Sequence, residues 1–286
     1  MINVQAPDIP ECLFRFRPDN REYFESELVE AIHKHMTYLS RVSHQNDPFD
    51  AFPVFEKSKP IELKSLVTSI QKKYGRNMTI LGRSVDEVAA KGVSRRIVRR
   101  KYIDLSFPLG SIGRSHTSTR EFYRLASFVE NCESVLMWSH YANSHSGICL
   151  KYNVQGSDYP ASLALHKVNY SDVRPHFSEL ECLRYIAANN LEDDEFMSFE
   201  NRFDFSEKCD LTKSSEWSYE HEWRWVDRDS VEDGYKITLP MKVSAVILGV
   251  NCSEETRERC LQVVDGKVPV IQAHLSRTDY KIECDQ

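Results

Sequence analysis

The stretch Trp217-Ser218-Tyr219-Glu220-His221-Glu222-Trp223-Arg224 holds two carboxylates, two residues apart, inside a run of aromatic residues. Aromatic-rich runs favour β-strands. Side chains of a strand alternate between its faces, so the pattern predicts Glu220 and Glu222 on one face and the rings on the other. Carboxylates roughly 7 Å apart disfavour joint ionisation, which makes the pair a candidate for acid–base chemistry. The structural alternative is an edge strand whose carboxylates pair with Arg224 and Lys213.

Composition and charge limit the classes of protein that this chain can represent. Of its 286 residues, 41% are hydrophobic and 28% are charged, which is typical of a soluble globular protein of one large or two modest domains. The net charge of -6 argues against a general nucleic-acid coat protein. No apolar run approaches the roughly 20 residues that span a bilayer. Because the N-terminus lacks a basic start and an apolar core, we expect a cytoplasmic protein.

The eight cysteines are widely scattered and none forms a CxxC pair. In a protein without an export signal they indicate reduced thiols and no zinc knuckle. His140 and His145 stand five residues apart, a spacing that does not bring both to one helix face. We therefore predict no metal site.

Hydrophobic periodicity predicts strands and helices in irregular alternation, which favours an α+β fold over a doubly wound parallel sheet. The predicted strands cover residues 12–18, 36–42, 125–129, 148–152, 165–170, 217–224, 235–239, 243–248 and 268–273. The predicted helices cover residues 25–35, 61–74, 133–143, 177–190, 199–209 and 254–264.

The segment from Lys91 to Lys101 is basic. On a helix, four of its arginines would form one charged face: Arg95, Arg96, Arg99 and Arg100. This face is either a solvated helix surface or a contact for the phosphates of a nucleic acid or nucleotide.

Six ordered motifs resemble the DUF2971 family of bacterial and phage-associated proteins, from about residue 12 to residue 275. They are Phe14-Arg15-Phe16-Arg17-Pro18, Asn46-Asp47-Pro48-Phe49-Asp50, Leu136-Met137-Trp138-Ser139-His140-Tyr141-Ala142, His145-Ser146-Gly147-Ile148-Cys149-Leu150, the stretch 217–224 and Val246-Ile247-Leu248-Gly249. The resemblance implies a single domain over residues 1–286. It carries no function by itself.

The order of elements is also similar to the ADP-ribosyltransferase fold of the Arg-Ser-Glu type. That resemblance implies a mixed core of two packed sheets that grip NAD in a cleft, with residues 55–120 as an inserted helical lobe. Arg17 or Arg15 would be the first motif element and would hold the pyrophosphate of NAD with its fork of donors. Ser127, with Ser40 as the competing candidate, would be the second.

Glu220 and Glu222 would be the third element. In this interpretation Glu222 stabilises positive charge on the ribose, and Glu220 positions or deprotonates the acceptor. Three further residues are candidates for contact with NAD: Asn46, His140 and Tyr141. Two of them have a simpler interpretation, since Asn46 lies in a possible Asx turn and Tyr141 shares a core stripe with Trp138.

The leading functional hypothesis is therefore an NAD-consuming enzyme. It would transfer ADP-ribose to a protein or nucleic-acid acceptor, or hydrolyse NAD, as a toxin or antiphage defence effector. A metal-dependent nuclease or phosphodiesterase is one alternative. A non-catalytic sensor of a nucleotide or a phage protein is the other.

Overall fold

The computed structural model describes residues 9–20, 22–74, 79–80, 83–84, 102–103, 124–154, 165–227 and 236–284. The helices are α1 (Phe24–His33), α2 (Pro60–Tyr74), α3 (Val135–Tyr141), α4 (Glu179–Leu191), α5 (Phe199–Asp210) and α6 (Glu254–Val264). Short 3₁₀ helices cover Val42–His44 and Ser215–Glu220.

The strands are β1 (Cys12–Arg17), β2 (Met36–Tyr38), β3 (Ser40–Arg41), β4 (Val54–Glu56), β5 (Thr79–Ile80), β6 (Arg83–Ser84), β7 (Tyr102–Ile103), β8 (Arg124–Val129), β9 (Ile148–Asn153), β10 (Leu165–Lys167), β11 (Asn169–Ser171), β12 (His176–Ser178), β13 (Thr212–Ser214), β14 (Glu222–Asp227), β15 (Lys236–Thr238), β16 (Lys242–Leu248), β17 (Val270–Gln272), β18 (His274–Leu275) and β19 (Ile282–Glu283). The predicted α+β class is confirmed.

The chain divides into two compact units, each built from separate stretches of sequence. Unit 1 comprises residues 1–40, 124–168 and 216–286, and unit 2 comprises residues 41–123 and 169–215. The predicted inserted lobe, residues 55–120, falls within the first stretch of unit 2. Most of that lobe lies outside the described residues, and so does its predicted basic face of Arg95, Arg96, Arg99 and Arg100.

Unit 1 is organised around one continuous sheet, where the resemblance implies two packed sheets. Seven of its strands run in the order β10–β14–β8–β1–β9–β16–β17. Neighbours along this path are antiparallel except for the parallel pair β16–β17. Phe14 of β1 stands opposite Val129 of β8, which stands opposite Glu222 of β14. Residues that face each other across a ladder share a sheet face, so this register assigns every side chain of the three strands to a face.

Each face of the sheet has its own apolar core, and we name the faces by the helices that cover them. On the α1 face, Leu13, Phe128 and Trp223 pack with buried residues of α1 and α6. On the α3 face, Phe16 and Val129 pack with Trp138. Trp138 is fully buried, its ring lies 5.0 Å from that of Phe16, and its indole N–H donates to the Cys132 carbonyl. The prediction that Trp138 is a core residue is confirmed.

Unit 2 contains smaller sheets and its own helical core. Strand β4 pairs with β12 in parallel and with β7 in antiparallel fashion, and β11 pairs with β13 in parallel. The apolar stripe of α2, including Leu63 and Ile70, packs with Leu183 and Ala187 of α4. This stripe is the periodic pattern from which α2 was predicted.

The loop between α3 and β9 holds three successive residues, 143–145, in left-handed backbone conformations that side chains usually avoid. The Asp19 carboxylate fixes this loop, because it accepts hydrogen bonds from Asn143, Ser146 and Thr256. Burial opposes ionisation of Asp19, but these three hydrogen bonds outweigh it and lower the pKa of Asp19. The loop packs so closely on its neighbours that a Cβ atom on Gly249 would lie 2.1 Å from the His145 carbonyl oxygen.

We predict that Gly249→Ala lowers the free energy of unfolding by about 3 kcal/mol, because backbone must move to admit the methyl group. Gly266→Ala is the matched control: Gly266 has a φ of +70° but nothing within 4 Å of the added carbon. It should cost about 1 kcal/mol from the left-handed conformation alone. Urea denaturation of both variants measures the difference, and equal losses would contradict the predicted close approach.

Candidate functional site

The predicted strand over residues 217–224 is wrong in its first half. Ser215–Glu220 forms a 3₁₀ helix, His221 has a left-handed φ of 45°, and β14 begins only at Glu222. The alternation that predicted Glu220 and Glu222 on one face therefore does not apply, since the chain turns between them. His221, predicted on the core face, is exposed.

Strand β14 buries a two-pronged ion pair on the α3 face. Arg224 Nε lies 2.9 Å from Glu222 Oε1, and Arg224 Nη2 lies 3.0 Å from Glu222 Oε2. Arg224 is fully buried and Glu222 is 2% exposed. The Arg224 pairing of the structural alternative is confirmed for Glu222, but its edge strand is wrong, because β14 lies between β10 and β8 in the sheet.

This pairing defines what Glu222 can do. A buried ionised group is tolerated only where an opposite charge and hydrogen bonds compensate for lost hydration. Both oxygens of Glu222 are engaged by Arg224, so the carboxylate serves as the counter-charge of the guanidinium. This contact holds both side chains in fixed positions on β14.

Glu220 has a different environment. Its carboxylate accepts a hydrogen bond of 2.6 Å from the phenol of Tyr141 at the end of α3, and the residue is 4% exposed. A carboxylate that accepts such a bond is oriented by it. Glu220 and Tyr141 were both predicted as site residues, and the structure brings them into contact. Because 79 residues separate them, no local pattern could predict that contact.

Aromatic side chains adjoin this carboxylate–phenol pair. We call His140, Tyr141, Trp217 and Tyr219 the aromatic group. The ring centroid of His140 lies 6.3 Å from that of Tyr141 and 6.4 Å from that of Tyr219, and the centroids of Trp217 and Tyr219 lie 6.1 Å apart. His140 is exposed and the other three are half-buried. Half-buried rings offer surfaces on which a planar ligand can stack.

The two candidate arginines lie on the other face of the sheet. Phe14 shares the face of Glu222, so its neighbour Arg15 and then Arg17 point to the α1 face. Arg15 is buried, donates to Thr37 Oγ1 and to the Tyr38 carbonyl, and lies 5.4 Å from the ring centroid of Phe128. Arg17 lies a further three residues from Phe14, about 10 Å along the strand. The structure therefore does not bring Arg15 or Arg17 together with Glu222.

The candidate serines and Asn46 have separate surroundings. Ser127 of β8 stands directly opposite Arg224 of β14, on the α3 face. The Ser40 hydroxyl donates to the Leu125 carbonyl. Asn46 is exposed in unit 2, and the carboxylate of the next residue, Asp47, accepts from the Phe49 amide. That bond is the Asx turn predicted as the simpler interpretation of this motif.

Two further findings concern the part of the chain that the structure describes. There, no three side chains of His, Cys, Asp or Glu converge as a metal ion would require. No helix in the same residues is both long enough and apolar enough to cross a bilayer.

Part of this chain matches the sequence model of one protein family. Residues 137–225 match DUF2971. The family is described as a protein of unknown function. The matched range includes Tyr141, Glu220 and Glu222 but not Arg17, and over that range the predicted resemblance is confirmed. Neither the curated proteins nor the solved structures that were compared with the chain gave a match.

We predict that Glu222→Gln lowers the free energy of unfolding by about 3–5 kcal/mol, because it removes the carboxylate that binds two nitrogens of the buried Arg224 guanidinium. Glu258→Gln, which neutralises an exposed carboxylate of α6, is the control and should change it by less than about 0.5 kcal/mol. Chemical denaturation measures both. Equal stability of the two variants would show that the ion pair does not stabilise the fold. Glu222 would then again be a candidate for the reactive carboxylate.

Proposed function

We propose that this protein is an NAD-consuming enzyme of the ADP-ribosyltransferase type, in which the carboxylate of Glu220 acts on the ribose. The observation that carries the proposal is the hydrogen bond of 2.6 Å from the Tyr141 phenol to Glu220, next to the aromatic group. The arrangement combines an oriented carboxylate with rings on which a planar base can stack.

The order of elements in unit 1 gives a second line of support. The arginine-bearing β1, the serine-bearing β8, helix α3, strand β9 and then β14 follow one another in the order that the resemblance implies. Strand β8 lies between β1 and β14 in the sheet. Within this order, the third motif element stands where the 3₁₀ helix ends and β14 begins.

The reaction that we propose breaks the bond between C1′ of the ribose and the ring nitrogen of nicotinamide. The bonding electrons leave with nicotinamide, and C1′ becomes an oxocarbenium-like centre, as in glycoside hydrolysis. The Glu220 carboxylate would accept a hydrogen bond from a ribose hydroxyl and stabilise the positive charge. An acceptor nucleophile, or water, then bonds to C1′ and loses its proton.

The proposal revises the roles that the sequence suggested. Glu220 takes the ribose-facing role first given to Glu222, because Glu222 is engaged on both oxygens by Arg224. Glu222 and Arg224 become positioning residues that fix the start of β14. The pyrophosphate contact is not assigned to Arg17, because Arg17 points to the α1 face.

The acceptor in this proposal is a protein or nucleic acid. The setting is the bacterial cytoplasm, where such an activity would suit a toxin or antiphage effector. No geometry in the described residues offers specific support for the nuclease alternative. A non-catalytic NAD sensor would use the same aromatic group and is separated from the enzyme by the experiment below.

The test is nicotinamide release from NAD by purified protein, with and without a bacterial cell extract as the source of acceptor. We predict that Glu220→Gln lowers the rate at least about 100-fold, because the uncharged amide cannot stabilise the oxocarbenium-like centre. Tyr141→Phe, which removes only the orienting hydroxyl, should lower it by about tenfold. Glu258→Gln is the surface control and should not change it.

Circular dichroism and thermal melting of each variant establish that a loss of rate is not a loss of fold. Release that requires extract indicates transfer, and release without extract indicates hydrolysis. NAD binding without release would favour the sensor. If the folded wild-type protein neither binds NAD nor releases nicotinamide, with or without extract, the proposal is contradicted.

A further inference from the structure

The hairpin of β18 and β19 is anchored on the chain that leads into α3. Its strands pair with Leu275 opposite Ile282, and the Ile282 amide donates a hydrogen bond of 2.9 Å to the Glu133 carbonyl. The Ile282 side chain is fully buried in the same core as Trp138. The hairpin therefore rests on the residues directly before Ser134, the N-cap of α3.

Two cysteines meet where the hairpin rests. The thiol of Cys284, which directly follows β19, donates a hydrogen bond of 3.2 Å to the Cys132 carbonyl. The Cys132 thiol also hydrogen-bonds to Cys284, and this bond together with burial raises the pKa of Cys284. The two positions are 152 residues apart in sequence, so the docked hairpin creates their contact.

The thiols of this core differ in their access to solvent. Cys284 is half-buried, Cys132 is 6% exposed and Cys149 is fully buried. A buried thiol with a raised pKa is a poor nucleophile, so the docked pair stays reduced. The hairpin has only two residues in each strand, and its loop, residues 276–281, is mostly exposed. Short surface elements open most easily, and opening of this hairpin exposes Cys284.

We propose that Cys132 and Cys284 form a reversible disulfide when a peroxide oxidises the protein, and that this bond locks the hairpin onto the start of α3. Cys284 meets the oxidant while the hairpin is open, and Cys132 is the resolving cysteine. Transient disulfides of this redox-sensing kind are the ones that proteins form in a reducing compartment.

The oxidation has two steps. The Cys284 thiolate attacks one oxygen of hydrogen peroxide, an S–O bond forms as the O–O bond breaks, and the leaving hydroxide becomes water with the proton that Cys284 released. The Cys132 sulfur then attacks the sulfur of this sulfenic acid. The S–S bond forms as the S–O bond breaks, and the second hydroxide leaves as water with the Cys132 proton. Sulfur is oxidised, peroxide is reduced, and two thiols give one disulfide.

This modification site goes beyond the proposed function and stands without it. None of its steps uses Glu220, Tyr141 or NAD. The disulfide would act on the fold by joining two distant positions of the chain, which removes conformational freedom from the unfolded state.

Treatment of the reduced full chain with an excess of hydrogen peroxide, followed by peptide mapping under non-reducing conditions, tests the proposal. We predict a cross-linked peptide that contains Cys132 and Cys284, and a melting temperature at least about 4 °C above that of the reduced protein. Dithiothreitol should reverse both. Cys284→Ser should give neither the cross-link nor the shift, whereas Cys12→Ser, at another half-buried cysteine, should give both.

Ile282→Val tests the opening of the hairpin with a change that the core tolerates. Loss of one buried methylene weakens the anchor, so the cross-link should form about twofold to tenfold faster than in the wild type. Equal rates would overturn the opening step. Free thiols at Cys132 and Cys284 after peroxide treatment, a disulfide from either one to Cys149, or a sulfinic acid at Cys284 without the cross-link would overturn the proposal.

Discussion

The ion pair between Glu222 and Arg224 is the constraint on which the rest of unit 1 depends. Both charges are withdrawn from water on the α3 face, at two positions of one strand. Loss of either group would remove a two-pronged, charge-assisted contact from the other. Trp223 and Trp225 alternate with them and pack on the α1 face. A slip of one residue would exchange the two sets, so charge and apolar burial together define the register of β14.

A fixed β14 determines where the preceding chain can go. The 3₁₀ helix that ends at Glu220 joins the strand through the left-handed His221, and this turn brings Glu220 to Tyr141 instead of extending the strand. The carboxylate–phenol pair adjoins α3, whereas Arg15 and Arg17 point to the α1 face of the sheet.

Elements with strong local periodicity were predictable from the sequence. The apolar stripe of α6 identified residues 254–264, and the alternation in β1 identified its strand. The start of β14 was not predictable in this way, because strand-favouring aromatic residues continue through Ser215–Glu220 while the backbone turns at His221. The faces of Arg17 and Glu222 depend on pairing between β1, β8 and β14, which is information that no single stretch contains.

The division of roles between Glu220 and Glu222 is the central claim, and the most direct measurement removes the Glu222 carboxylate together with its Arg224 partner. In the double variant Glu222→Leu/Arg224→Met, apolar side chains of similar volume replace the pair, so the fold should survive. Nicotinamide release per folded molecule should then remain within about tenfold of the wild type. A loss of more than about 100-fold in a variant that melts like the wild type would contradict the account and make Glu222 the reactive carboxylate.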